Sequence, residues 1–197
     1  MFVRFKKNKS KTPDVFWGFL LRKVLSDAIL SVKTLLMKTK TPQHVAVLAS
    51  LIFPLITAAL GSYFTSISVT TWYTTLEMPL FTPPSFVFGP VWTLLYLTMG
   101  VSFYLMLTSA ATKKDHYLAV QLFIIQLVMN AGWCLAFFAL MNPLLAIFGI
   151  IALDMLLLAA IMSFLRINRT SAYLLIPYFC WILFATYLNL GVVVLAL

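Results

Sequence analysis

A chain of 197 residues that is 62% hydrophobic and only 10% charged falls far short of the roughly 25% charge usual in soluble domains, which excludes a soluble globular fold. Ten of its 14 Lys and Arg lie in residues 1–44 with two acids, +10 − 2 = +8, while the remaining 153 residues carry +4 − 3 = +1. The basicity therefore belongs to a leader, where it suits attraction to anionic lipid headgroups and requires no nucleic acid.

In chain order, residues 1–13 are cationic and without apolar periodicity. From Val15 to Lys38 the pattern is helical: Trp17, Leu21, Val24, Leu25, Ala28 and Ile29 share one side, and Arg22, Lys23, Asp27 and Lys33 the other. A basic amphipathic helix of this kind lies in the membrane interface; a targeting presequence is the alternative reading, since Arg and Lys outnumber acids. Residues 1–44 thus form a basic extension and 45–197 a membrane domain.

A bilayer crossing needs about 20 largely apolar residues, and five such stretches follow, at 45–64, 86–110, 116–141, 143–165 and 171–196. Pro54 is expected to bend the first. Ala111–Asp115 and Arg166–Arg169 read as short turns, with Thr170 or Ser171 capping the fifth span; Asn142 with Pro143 suits the N-cap and first position of the fourth. With the N-terminus inside, all 14 Lys and Arg fall on one side, as the positive-inside rule asks.

Chemistry-bearing residues are few. No paired carboxylates, phosphate loop, nucleophile triad or metal-ligand spacing occurs; His44 and His116 stand apart at membrane edges, and Cys134 and Cys180 sit in apolar runs as small hydrophobes. Asp154, the one acid at membrane depth, is either a functional group or a hydrogen-bonded tie to a partner such as Gln126 or Asn130. Gln126, Asn130 and Trp133, four and three apart, share one helical face, either as helix–helix glue or as polar groups orienting a ligand in an apolar cavity. Trp181, Ala185 and Leu188 form a similar face on the fifth span, with Ala185 leaving room for a flat group.

The first connection and second span carry W-Y-x-x-L-x-x-P-x-x-x-P-P-x-x-x-F-x-P-V-W-T-x-L-Y-x-x-M-G, supplied by Trp72, Tyr73, Leu76, Pro79, Pro83, Pro84, Phe88, Pro90, Val91, Trp92, Thr93, Leu95, Tyr96, Met99 and Gly100. Together with Gln126, Leu127, Asn130, Trp133, Phe137 and Phe138, with Asp154, and with the run from Leu174 to Asn189, this resembles the TspO/MBR family of translocator proteins, once called peripheral benzodiazepine receptors. The match runs in order over roughly 45–190.

The resemblance implies an all-α bundle of five transmembrane helices, usually a homodimer, with a pocket under the first loop. It implies binding of porphyrins, protoporphyrin IX above all, and of isoquinoline- or benzodiazepine-type ligands in some members, with no metal or resident cofactor. The ligand-binding residues would be Tyr73, Pro84, Trp92, Tyr96, Asn130, Trp133, Trp181, Phe184, Ala185 and Leu188, with Gln126 and Asp154 as structural polar groups. Light-driven porphyrin breakdown, an activity of some bacterial members, would use Trp92 and Trp181. The chain departs from the family at Met78 (usually basic), Phe81 (usually Trp), Cys134 (commonly Pro) and Leu190, where sterol-binding members carry Tyr; the sterol pattern is absent. The stiff Trp72–Pro90 stretch is expected to act as a lid, and Gly132 with Ala136 as a small-residue contact face. A porphyrin receptor or carrier, a photochemical degrader and a stress-linked membrane sensor all fit, in a bacterial cytoplasmic membrane before a mitochondrial one.

Overall fold

Five long apolar helices account for most of residues 42–196, the part of the chain described by the computed structural model. They are α1 (Gln43–Ser66), α2 (Ser85–Thr108), α3 (Lys113–Ala139), α4 (Pro143–Leu165) and α5 (Arg169–Leu195), each long and apolar enough to cross a membrane, and no strand occurs among the described residues. The amphipathic reading of Val15–Lys38 and most of the 1–44 extension lie outside those residues.

The helix ends follow capping chemistry, with two corrections to the sequence reading. Asn142 caps α4, its Oδ1 accepting from the Leu145 N–H at 2.9 Å, with Pro143 in the first turn. Ala111–Asp115 is not all turn: α3 begins at Lys113 because the Thr112 hydroxyl accepts from the Asp115 N–H at 3.1 Å. Likewise α5 is capped by Asn168, not by Thr170 or Ser171, since Asn168 Oδ1 accepts from the Ser171 N–H at 3.0 Å. In the last two cases a short polar side chain satisfies an orphan donor about one turn earlier than the apolar pattern suggests. Helix α5 is also interrupted at Leu175, between segments Arg169–Leu174 and Ile176–Leu195; Pro177 supplies no N–H and its ring displaces the carbonyl four residues back.

The turn holding Lys113 and Lys114 and the turn holding Arg166 and Arg169 lie together at one end of the bundle. Asn168 Nδ2 donates to Ser109 Oγ at 2.7 Å and ties the two turns. The first loop and the α3–α4 connection meet at the opposite end, where the Ser68 hydroxyl donates to the Phe138 carbonyl at 2.7 Å.

Between the ends the bundle is unevenly filled. Toward the basic end Phe103 and Phe123 stack at 4.2 Å between centroids and 7° between planes, with Phe164 next at 5.9 Å. Met99, Met106, Leu153 and Leu157 are buried around them, giving a solid apolar core. At the crossing of α1 and α2, Pro54 cannot donate to the Ser50 carbonyl, which is left free inside the helix. Gly100 packs against that carbonyl so closely that a Cβ there would lie 2.8 Å from its oxygen. A Cα–H···O contact of this type recurs where helices meet at small residues. From this point toward the loop end the bundle is hollow.

Candidate functional site: an aromatic cavity within the bundle

The hollow is a cavity of ≈ 890 Å³ bounded by α1, α2, α3, α5 and the first loop. On α1 its wall is a stripe through Ser50, Pro54, Ala58 and Gly61, spaced at four, four and three residues as one face of a helix requires. Gly61 admits the Cys134 thiol and the Tyr96 hydroxyl, which a Cβ would meet at 3.5 and 3.6 Å. Helix α2 turns Phe88, Trp92 and Tyr96 into the space, and α5 turns Trp181, Ala185 and Leu188.

The rings brace one another. Trp92 stacks on Tyr96 at 5.4 Å and meets the edge of Tyr178 at 6.2 Å, while Trp181 meets Phe88 at 5.8 Å. At the loop end α3 finishes in a π-helical turn, Leu135–Ala139, closed by the Leu140 N–H on the Leu135 carbonyl at 2.9 Å. The extra residue swings Phe137 and Phe138 toward the loop, where Trp72 and Tyr73 pack on them at 5.7 and 5.5 Å. Insertions of this type recur at functional sites. Burial raises the Tyr73 phenol above its ordinary value of 10.0, the cause being desolvation, so its hydroxyl remains neutral at physiological pH.

Behind the wall runs a buried polar chain. The Tyr96 hydroxyl donates to Asn130 Oδ1 at 2.9 Å, Asn130 Nδ2 donates to the Tyr178 hydroxyl at 3.1 Å, and that hydroxyl donates to Gln126 Oε1 at 3.1 Å. Trp133 Nε1 donates to Asn189 Oδ1 at 3.1 Å, and Asn189 Nδ2 to the Pro143 carbonyl at 2.9 Å. Amides in an apolar interior are costly unless partnered, and these ties join α2, α3, α4 and α5.

Of the residues singled out from sequence, Tyr73, Trp92, Tyr96, Trp133, Trp181, Ala185 and Leu188 line the one cavity. Three do not. Asn130 is fully buried behind Tyr96. Phe184 packs between Trp181 and Tyr187, at 5.6 and 6.1 Å, on α5. Pro84 caps α2 and is exposed. Gln126 is fully buried on Tyr178. Asp154 is held by neither Gln126 nor Asn130: Thr186 Oγ1 lies 2.9 Å from its Oδ2, because α4 packs against α5 at that level. Cys134 is buried in the cavity wall, but Cys180 is exposed on α5. Gly132 and Ala136 do not form one exposed face, since Gly132 is exposed and Ala136 is buried as the helix passes into the π turn.

From sequence, no α1 residue is named as part of a site, and neither Cys134 nor Tyr178 is given a place in one. The small-residue stripe on α1 was the available signal for the first. Tyr178, fully buried at the centre of the polar chain, belongs to the Leu174–Asn189 run that carries the family resemblance, which by itself assigns it no role. No group of three or more His, Cys, Asp or Glu able to hold a metal occurs among the described residues.

Five apolar helices around an aromatic cavity, with most of their buried polar side chains hydrogen-bonded between helices and Gln126 Nε2 and Asp154 Oδ1 left unpartnered, define an integral membrane protein with an apolar cavity inside its bundle. Residues 50–195 match the TspO/MBR family, and the chain belongs to that family. It is 40% identical over 147 residues to the tryptophan-rich protein TspO of Archaeoglobus fulgidus, covering 75% of this chain and 94% of that protein. Against the tryptophan-rich protein TspO of Chlorobaculum tepidum the identity is 38% over 129 residues, 66% of this chain and 82% of the other. The human translocator protein is 29% identical over 150 residues, 75% and 88% of the two chains.

Proposed function

We propose that the protein is a membrane receptor or carrier for porphyrin-like tetrapyrroles, bound in the cavity beneath the first loop. The observation that carries this reading is the cavity wall: ≈ 890 Å³ lies within the roughly 300–1,000 Å³ of sites for single small molecules, and indoles and phenols contribute from four sides. A flat macrocycle offers each ring a face or an edge at stacking distance. The bacterial cytoplasmic membrane is the compartment, with the basic turns on the cytoplasmic side, and the working unit is a homodimer.

The test is a titration of the full chain in lipid nanodiscs with protoporphyrin IX in the dark, read by Trp quenching and repeated with a Trp92→Phe/Trp181→Phe variant. Saturable quenching that weakens at least about tenfold in the variant, equivalent to about 1.4 kcal/mol, supports the reading; linear, unsaturable quenching refutes it. A second reading, light-driven porphyrin degradation, is favoured by one observation: Trp92 and Trp181 line the same cavity, so an excited macrocycle there has two indoles as electron donors. Loss of the porphyrin spectrum under illumination, abolished in the double variant, distinguishes it from a carrier, which releases porphyrin intact.

A further inference from the structure

The geometry points to a lateral entrance: the ligand reaches the cavity from within the bilayer, between α1 and α2, and not through the loop end. Every exposed residue of the cavity wall belongs to one of these two helices, among them Leu51, Leu55 and Ser62 on α1 and Gly89, Thr93 and Leu97 on α2. No wall residue contributed by α3, α5 or the first loop is exposed. Leu55 and Leu97 lie at the middle of their helices, so the opening reaches hydrocarbon depth in a membrane these helices span. Its chemistry grades along the seam, with serine and threonine hydroxyls toward the loop end and aliphatic side chains at mid-helix. That gradient suits an amphipathic planar molecule with its polar edge at the headgroups and its apolar body in the acyl chains.

The loop end, by contrast, is fastened. The Tyr187 hydroxyl of α5 donates to the Leu80 carbonyl at 2.8 Å. Pro79 sits on Gly191 so closely that a Cβ there would come within 2.6 Å of the proline ring. Val69, Tyr73 and Met78, the loop residues of the wall, are only partly exposed. The close Gly100–Ser50 crossing joins α1 to α2 near the basic end, leaving the seam free to part toward the loop end.

Ligand traffic through the seam presupposes the binding role proposed above, and the experiment separates the two. The full chain is placed in nanodiscs of dibrominated phosphatidylcholine, whose bromines quench indoles reached by acyl chains, and compared with iodide in the aqueous phase. The Trp92 contribution is the difference between the wild-type protein and Trp92→Phe. Bromolipid quenches it and iodide does not if the entrance is lateral; a Ser62→Phe/Thr93→Phe variant, filling the seam, removes most of that quenching. In a second arm, porphyrin is delivered from donor vesicles. The seam variant slows uptake about tenfold, chiefly a change of rate, and Tyr187→Phe leaves the rate as it is. Quenching of Trp92 by iodide and not by bromolipid overturns the inference, as does bromolipid quenching that survives the seam block. Faster uptake in Tyr187→Phe with no effect of the seam variant overturns it too. The bromolipid readout on the wild-type protein stands even if the seam variant does not fold. Bromolipid quenching of Trp92 in a protein that takes up no porphyrin would sustain the entrance and refute the porphyrin reading.

Discussion

Replacing Gly100 by alanine adds one methyl group where α1 and α2 cross. The new Cβ would lie 2.8 Å from the Ser50 carbonyl oxygen, where ordinary contact begins at 3.4 Å, a shortfall of 3.4 − 2.8 = 0.6 Å. The oxygen is main chain and cannot rotate away, so one helix must move. Overpacking of this kind costs about 1–3 kcal/mol, whereas exchanging glycine for alanine within a helix contributes about 1 kcal/mol of stability. Gly132→Ala and Gly149→Ala supply the control, because a Cβ at either position meets nothing within 4 Å and only the helix term remains. The difference between Gly100→Ala and these controls is therefore the steric cost alone. At about 2–4 °C per kcal/mol for a chain of this size, Gly100→Ala should melt some 2–12 °C below Gly132→Ala in the same detergent. Equal melting temperatures would show that the two helices do not meet at this distance, and with that the argument for a joined seam would fail.

Other outcomes follow from the same geometry. Tyr178→Phe removes the centre of the buried polar chain, leaving Asn130 Nδ2 and Gln126 Oε1 without the partner they now share. Each unsatisfied group costs about 1–3 kcal/mol, and a clear fall in melting temperature should follow, larger than for Tyr187→Phe. Asn168→Ala strips the cap from α5 and the tie to Ser109, a loss of about 1–2 kcal/mol; hydrogen exchange should rise in both basic turns together. Burial raises the Tyr73 phenol above 10.0, so the unfolded chain ionises first as pH rises. Its stabilising contribution is complete below about pH 10 and is lost on going above it. Thermal unfolding followed from pH 8 upward should show that loss, and Tyr73→Phe should remove its share.

Much of the architecture was legible because the bilayer imposes strong rules on composition. Span number followed from run length and from the clustering of Lys113, Lys114, Arg166 and Arg169, and the start of α4 from Asn142 and Pro143. The caps Thr112 and Asn168 were less visible, since a capping oxygen acts a turn ahead of the apolar pattern that marks a span. The π turn at Leu135–Ala139 changes the register of Phe137 and Phe138 by one residue, and no composition signal accompanies it. Asn130 and Trp133 share a helical face on α3, yet one lies behind the wall and the other on it. Spacing fixes direction around a helix, but not the depth to which a neighbouring tyrosine reaches. The Ser50–Gly100 crossing was hidden for a related reason: it needs a carbonyl freed on one helix to meet a glycine on another, a coincidence in space that neither segment records alone.

The buried chain behind Tyr96 also sets a polarity. Its hydroxyl hydrogen is committed to Asn130 Oδ1, so the oxygen turns only lone pairs toward the cavity. The Trp133 N–H is likewise committed, to Asn189. Two of the wall's polar groups have thus directed their protons away from any guest. A molecule that brings a proton donor of its own, such as a pyrrole or amide N–H, finds an acceptor at Tyr96. One of the same outline that carries only acceptors meets lone pair against lone pair. At these two positions, then, the wall offers the cavity an acceptor in Tyr96 and no free proton.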